Sequence, residues 1–369
     1  MTRKVNGDQL QTRIKNTVGP WKAGRFMPMT IRPYSANTYA LSKVWFKCSA
    51  LNLRVQDINF INSQVKSWLY QDCFEKPSEL VLYRQAEHGG LGLFNVKIRA
   101  LALLIRAFLE TAIHPNFRHS LFHQVLFRFH VLGEVSLPDP GFTPYYNQEF
   151  FRIISHYHNN CPLNVAVMST KQWYQVLLED QVLMSPEDEN SPPTLLPVRV
   201  ETLYPTADWS RTWSLARTKG LGSELTSFIF KLLHRLLPTQ DRVSRLGGSG
   251  SQGLCQLCHK EIEDQLHAFF MCQHSLVAGH ALLGYLQSAV PGLSPEASLR
   301  LELDNSLSEK EELATICMLS TGLKFIWETR LLKKQVSTFQ MRAELEAKIS
   351  ILRKSRHRDS AELMDGMLT

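Results

Sequence analysis

The sequence predicts a mainly α-helical protein. Apolar residues recur at three- and four-residue spacing in window after window, strictly alternating runs are few, and prolines and glycines fall mostly between the periodic windows. A chain of 369 residues with 44% hydrophobic and 20% charged residues has the composition of a folded protein. At roughly 100–200 residues per domain it can bury one large core or two to three ordinary ones.

Met1–Val18 reads as a polar helix or arm ending at Gly19-Pro20, followed by the basic and aromatic turn Trp21–Phe26. Between Ala36 and Leu51, Ala40, Leu41, Val44, Trp45 and Cys48 mark an amphipathic helix. Ile58, Ile61, Val65, Trp68 and Leu69 mark a second, over about Val55–Tyr70. Pro77 and Gly89-Gly90-Leu91-Gly92 bracket Leu80–Tyr83, expected as a strand or extended segment. Asn95 stands where an N-cap belongs, before a periodic helix through Ile98, Leu101, Ala102, Ile105 and Leu109. The stretch His119–His158 is aromatic-rich and broken by Pro138, Pro140 and Pro144. Its scattered histidines lack acidic partners at ligand spacing, so they read as core or surface residues. Ser169 is placed to cap Gln172–Gln181, and Ser185–Pro193 is acidic, proline-rich and aperiodic, as a linker is. Beyond it, Trp209 and Trp213 precede a helix striped with Leu225, Phe228, Ile229, Leu232 and Leu236, which Pro238 stops. Thr239 is expected to cap a short basic turn that Gly247-Gly248 closes. Helical periodicity returns through Leu313, Ile316, Cys317, Leu323, Trp327 and Leu331. It returns once more through Met341, Leu345, Ile349 and Leu352, before the basic segment Arg353–Arg358. That segment fits a frayed, solvated end better than a nuclear-import patch.

Cys255-Gln-Leu-Cys258, then His267, then Cys272 carry the sharpest chemical signal. A two-residue gap folds the first two thiols over one side of an ion. Four intervening residues put His267 and Cys272 little more than one turn apart at a helix end. Three cysteines and a histidine supply the four soft or borderline ligands of a tetrahedral zinc site. A full set of four leaves no open position, which points to a structural rather than a catalytic metal. His259, His274 and His280 are neighbours expected outside the ligand set. The other four of the seven cysteines show no regular spacing, which favours a reducing compartment over a disulfide scaffold.

Charge is unevenly spread. Residues 1–120 hold 17 Lys/Arg against 7 Asp/Glu, and residues 121–210 hold 4 against 10. A basic N-terminal third suits an anionic partner, nucleic acid above all, although solvated helix faces give the same count. Lys231, His234 and Arg235 lie opposite the Leu225–Leu236 stripe, and with Arg242 and Arg245 they make a basic ridge beside the cysteine window. Such ridges meet phosphates, and a solvated face looks the same. The first 30 residues are polar and basic with no apolar signal core, and no run approaches the ~18–20 residues of a membrane span. An intracellular location, nucleus or cytoplasm, is expected, without a membrane partner.

Enzyme signatures are missing. Gly248-Ser-Gly250-Ser-Gln-Gly253 spells G-x-G-x-x-G, but it follows a helix and enters a cysteine turn, so it reads as a connector and not as a pyrophosphate cradle. No two aspartates are adjacent, so the aromatic-x-Asp-Asp turn of a two-metal polymerase is lacking. There is no nucleophile elbow and no P-loop.

Phe230–Arg242, running through Leu237-Pro-Thr-Gln-Asp-Arg, together with the Cys-Cys-His-Cys window, resembles the C-terminal zinc-binding region of LINE-type (non-LTR) retrotransposon reverse transcriptases. Glu263–Cys272 is similar to the segment that completes the site in that family. Trp21–Arg25 and Ala40–Trp45 resemble the helices after the polymerase palm. Glu87–Leu93 with Asn95 resembles the turn and cap that follow them, and Trp327–Arg330 the closing helix. The resemblance implies a thumb-like helical block over 1–118, a connector over 119–184 and a linker over 185–198. It implies a zinc-binding domain over 199–300, a small knuckle-like module within a helical C-terminal region, and C-terminal helices with a basic tail over 301–369. The family's endonuclease and palm would lie before Met1. What it implies for function is RNA or DNA binding without catalysis, through Lys231, Arg235, Arg242, Arg245, Lys22, Arg25 and Lys43, with one structural zinc on Cys255, Cys258, His267 and Cys272. A co-opted or pseudogene-derived scaffold, with a protein partner on the acidic middle, is the alternative.

Overall fold

Helix after helix forms where apolar side chains recur on one side. The computed structural model describes residues 2–22, 27–48, 53–71, 76–113, 148–160, 167–179, 199–246, 252–303 and 306–369. Among them no strand occurs, only an isolated antiparallel bridge between Leu254 and Ile262. No described helix is long and apolar enough to cross a membrane. The expected linker at 185–198, most of the aromatic stretch after His119 and most of the Gly248–Gly253 connector lie outside the described residues. The chain divides into two compact units. One comprises Met1–Met27, Arg32–Gln71 and Leu93–Leu196, and the other Pro28–Ile31, Asp72–Gly92 and Pro197–Thr369.

In the first unit, α1 (Thr2–Trp21) buries Leu10, Ile14 and Val18 on a single stripe. It reaches Trp21 despite Pro20, because a proline so close to the end removes only one late hydrogen bond. Arg32–Ser35 (α2), a π-helical segment Ala36–Leu41 and Ser42–Cys48 (α3) run on without a break, burying Ala36, Ala40, Leu41, Val44 and Cys48. Helix α4 (Val55–Leu69) packs against α1. At the crossing Gly7 admits Asp57, which is 1% exposed and accepts from Arg54 and from Gln11 at 2.8 Å. The Arg54 hydrogen bond holds the Asp57 carboxyl below its ordinary range, against the opposing effect of burial.

The segment Glu79–Tyr83 is a short helix, α5, and not the expected strand. Ser78 accepts from the Val81 amide at 3.4 Å, and Val81, Leu82 and Tyr83 are all buried, so a capped turn wins over β propensity. Helix α6 (Val96–Ile113) starts where expected, with the Ile98 amide donating to Asn95 at 3.2 Å. Helices α7 (Gln148–Asn160) and α8 (Thr170–Glu179) complete the unit, and Ser169 caps α8 through the Gln172 amide.

The second unit holds α5 together with α9 (Arg199–Leu203), α10 (Trp209–Leu215), α11 (Ser223–Leu233), α12 (Gln240–Arg245), α13 (Leu276–Leu286), α14 (Pro295–Leu299), α15 (Glu309–Leu331), α16 (Thr338–Arg353) and α17 (Arg358–Leu368). Helix α15 is the central rod. A capping box of Ser308 and Glu311 starts it, and Ala314, Ile316, Cys317, Met318, Leu319, Leu323 and Ile326 are fully buried along it. A Cβ on Gly322 would lie 2.5 Å from Leu282, so this glycine sets the close approach of α13. The Arg353–Arg358 stretch is not a frayed end. It joins α16 to α17, whose Ala361, Met364 and Leu368 are buried, and Arg353 reaches Asp365 at 2.5 Å.

An alanine at position 7 would gain helix propensity of about 1 kcal/mol, but its Cβ would stand 2.4 Å from Arg54 Nη2 and 2.6 Å from Asp57 Oδ2. Overpacking a locked ion pair costs roughly 1–3 kcal/mol, so Gly7→Ala lowers stability in urea titration. A raised unfolding midpoint would contradict this packing.

Candidate metal centre

Cys255, Cys258, His267 and Cys272 converge on one point, and their ligand atoms all lie within 4.8 Å of one another. The cluster could hold a metal ion. Local folding explains the convergence. Gly253 takes φ 77°, with Ser244 and the Asp241 backbone 3.2–3.3 Å from where its Cβ would sit, so the chain doubles back tightly there. The Cys255 amide donates to Glu261 O at 2.8 Å and the Glu263 amide to Gly253 O at 2.9 Å, closing a narrow loop with Cys255 and Cys258 at its tip. Within the tip, the Leu257 amide points at Cys255 Sγ, 3.4 Å away, and His259 closes the turn at φ 56°.

Asp264 then accepts from the His267 amide at 2.7 Å and starts the π-helical turn His267–Met271. The Cys272 amide returns to His267 O at 2.9 Å. A π turn takes one residue more than an α turn, so residues five apart come to lie over one another. This is how the four-residue gap brings His267 and Cys272 to the same point.

Bonds of about 2.0–2.3 Å to nitrogen and thiolate give a tetrahedron with edges of roughly 3.5–3.8 Å. Cys255 Sγ lies 3.8 Å from Cys272 Sγ, and Cys258 Sγ lies 3.4 Å from His267 Nε2. His267 Nδ1 lies 2.9 Å from Glu261 Oε2, which orients the ring and leaves Nε2 facing the sulfurs. Burial pushes the Cys255 thiol up to about 11. Burial also raises Cys258, but the amides of Lys260 and Glu261 outweigh it and bring that thiol to about 7. His259, His274 and His280 stand outside the quartet, as expected of them.

Arg330 carries no signal of its own in the sequence beyond its place in the closing-helix resemblance. It is 6% exposed near the end of α15 and donates to Cys255 Sγ at 3.2 Å, Glu263 Oε2 at 2.8 Å and Ser275 Oγ at 3.4 Å. Burial disfavours its charge, yet Cys272, Cys255 and Glu263 hold its pKa above the ordinary guanidinium value. Glu261 and Glu263 were equally silent as supports, since exposed and buried carboxylates look alike in sequence.

The cationic residues meet different fates. Lys231 is half-buried. Arg235 adopts φ 55° just past α11. Its amide donates to Leu232 O at 3.0 Å, and the Leu236 amide donates to Lys231 O at 2.7 Å. This is a Schellman termination with arginine where glycine is usual. Arg242 and Arg245 lie on α12, and with Arg235, Thr239, Asp241 and Gln265 they line one cleft beside the cysteine loop. Arg245 is paired with Asp241. Thr239 does not cap α12 with its side chain, because the Asp241 amide bonds to Glu263 O at 3.1 Å instead. Lys22 and Lys43 belong to the first unit, bonded to Gln64 at 3.3 Å and Thr17 at 2.7 Å, and Arg25 lies outside the described residues.

His234 leaves the basic ridge expected of it. Its ring stacks on Trp213 with centroids 5.0 Å apart and bonds Gly89 O at 2.7 Å. Burial lowers its pKa to about 4, so the ring is neutral near pH 7. No family model matches the chain, and no curated protein matches it either.

A histidine at about 4 in the fold and about 6.5 unfolded contributes its stability fully above pH 6.5 and loses it as pH falls toward 4. The loss amounts to roughly 2–3 kcal/mol. His234→Phe keeps the stacking surface without the proton, so its urea-unfolding free energy should decline less than the wild type's between pH 7 and 4.5. Equal declines would show that His234 does not titrate this way.

Proposed function

We propose that this chain is a non-catalytic nucleic-acid-binding segment, built like the C-terminal part of a LINE-type reverse transcriptase and stiffened by one structural zinc ion. The observation that carries the reading is the closed quartet of Cys255, Cys258, His267 and Cys272 beside a cleft lined by Arg235, Arg242 and Arg245. Four protein ligands of this softness suit zinc and leave no coordination site for a substrate. The cleft offers guanidinium groups to a phosphodiester backbone, which they hold in two-pronged contacts. RNA and DNA both present that backbone. No aromatic-x-Asp-Asp turn stands in the sequence to support polymerase chemistry.

A second reading is a protein-interaction scaffold. Val277, Leu332 and Phe339 are 69%, 67% and 81% exposed, and exposed apolar side chains of this size suit a protein partner.

The purified chain should hold about one zinc per molecule. Chelation should unfold the cysteine module, because ligation energy there is folding energy. Anisotropy titrations with RNA and DNA oligonucleotides should show affinity falling steeply with salt. Arg242→Ala should reduce the slope by about one ion. Affinity that is absent or insensitive to salt, with retention of protein partners alone, would replace this reading with the scaffold. Primer extension with magnesium should give no product.

A further inference from the structure

We propose that Arg330 is a positioning residue of the metal centre, one that holds the Cys255 sulfur directly and the turn after Cys272 through Ser275, and offsets the negative charge gathered there. The inference rests on the metal-site reading above and concerns how that site is kept in a fold without water around it.

Charge counting makes the need plain. Three thiolates, one divalent ion and a neutral imidazole sum to minus one, and Glu263, 6% exposed, adds a second negative charge. Cys255 and Cys272 are both fully buried, so water does little to spread that charge. Arg330 reaches Cys255 Sγ at 3.2 Å and Glu263 at 2.8 Å, and it bonds Ser275 Oγ, whose amide in turn donates to Cys272 O at 2.9 Å. Glu261, the other carboxylate of the centre, faces solvent on the His267 side, where water screens it. The quartet therefore has two unlike halves. Cys258 and His267 sit on the loop's outer side, and Cys255 and Cys272 sit against α15. Cys258 is half-exposed and His267, though buried, meets the exposed Glu261, whereas the inner half is fully buried and has the guanidinium.

Geometry gives Arg330 a second role. Its N–H groups reach the loop through Cys255 and Glu263, and the start of α13 through Ser275. Ligands on either side of the π turn are thus referred to one rigid helix. A planar fork of donors makes several such bonds at fixed angles, which a lysine ammonium on a flexible stem does not.

The plain alternative is that Arg330 serves only to neutralise Glu263. Three variants of the full chain separate the two: Arg330→Lys, Glu263→Gln and the double variant Arg330→Met/Glu263→Gln. The double variant removes both partners of the buried pair, a change that folds tolerate far better than loss of one. Zinc affinity is read by competition with a chromophoric chelator, and the cobalt-loaded chain reports the sulfurs through its thiolate-to-cobalt charge-transfer band. Supporting ligands of this kind are worth roughly 10–100-fold in metal affinity. Arg330→Lys and the double variant should lose affinity by about that factor and shift the band, while Glu263→Gln alone should do neither. A double variant with wild-type affinity and an unmoved band would reduce Arg330 to a partner of Glu263 and overturn the proposal. A wild-type chain that holds no stoichiometric metal would instead remove the metal-site reading itself, and this inference with it.

Discussion

The contact of Arg330 with Cys255 and Glu263, beside the packing of Phe269 on Trp327, joins two unlike parts of the second unit. One is a narrow loop whose own apolar side chains, Leu254, Leu257 and Ile262, are exposed or half-buried, and the other is the longest described helix. Of the loop's sulfurs Cys255 faces inward and Cys258 is half-exposed, and a buried thiol beside a buried carboxylate is poorly stable as plain core. The Arg330 guanidinium at its edge relieves part of that difficulty, and the quartet could hold a metal ion at its centre. The same loop is stitched to α12 by the Asp241 amide and to α11 by Gln265, which donates to Leu232 O at 2.9 Å. Helix ends, cysteine loop and central rod thus share one set of buried polar contacts.

That arrangement governs what the surrounding cations are able to do. Arg235 is held at φ 55°, a conformation that costs a non-glycine residue about 1–2 kcal/mol. Its place is set by the Schellman bonds around it, and strain of this kind at the mouth of a cleft fits a side chain kept for what it contacts. His234, one residue earlier, is spent inward on Trp213 and Gly89. Arg245 shares its charge with Asp241. The cleft beside the cysteine quartet is therefore less basic than a count of arginines suggests.

Much was legible in the sequence because it is local. Three-and-four spacing predicted the helices of α4, α6, α11, α15 and α16, and Asn95 and Ser169 the caps of α6 and α8, while α11 ends at Leu233 in the turn at Arg235, ahead of the expected stop at Pro238. The gaps within Cys255–Cys272 named a ligand quartet, since ligand spacing is itself a local property of chain and turn. The two elements misread were short. Leu80–Tyr83 has the side chains of a strand, and only its burial and the Ser78 cap turn it into a helix. Arg353–Arg358 looks like a solvated end because it is wholly polar and basic, and the apolar stripe Ala361, Met364, Met367 and Leu368 that packs α17 on α15 and α16 comes only after it.

What the amino-acid order settled by itself, then, is the helical class and the identity of four side chains suited to one ion, because both depend on residues near one another along the chain. The tertiary structure decided which polar groups those side chains meet. His234 became neutral, and Arg330, 75 residues beyond Cys255, became part of the centre. Such partners are set by how α10, α13 and α15 pack, and a buried arginine and a solvated one are written with the same letter.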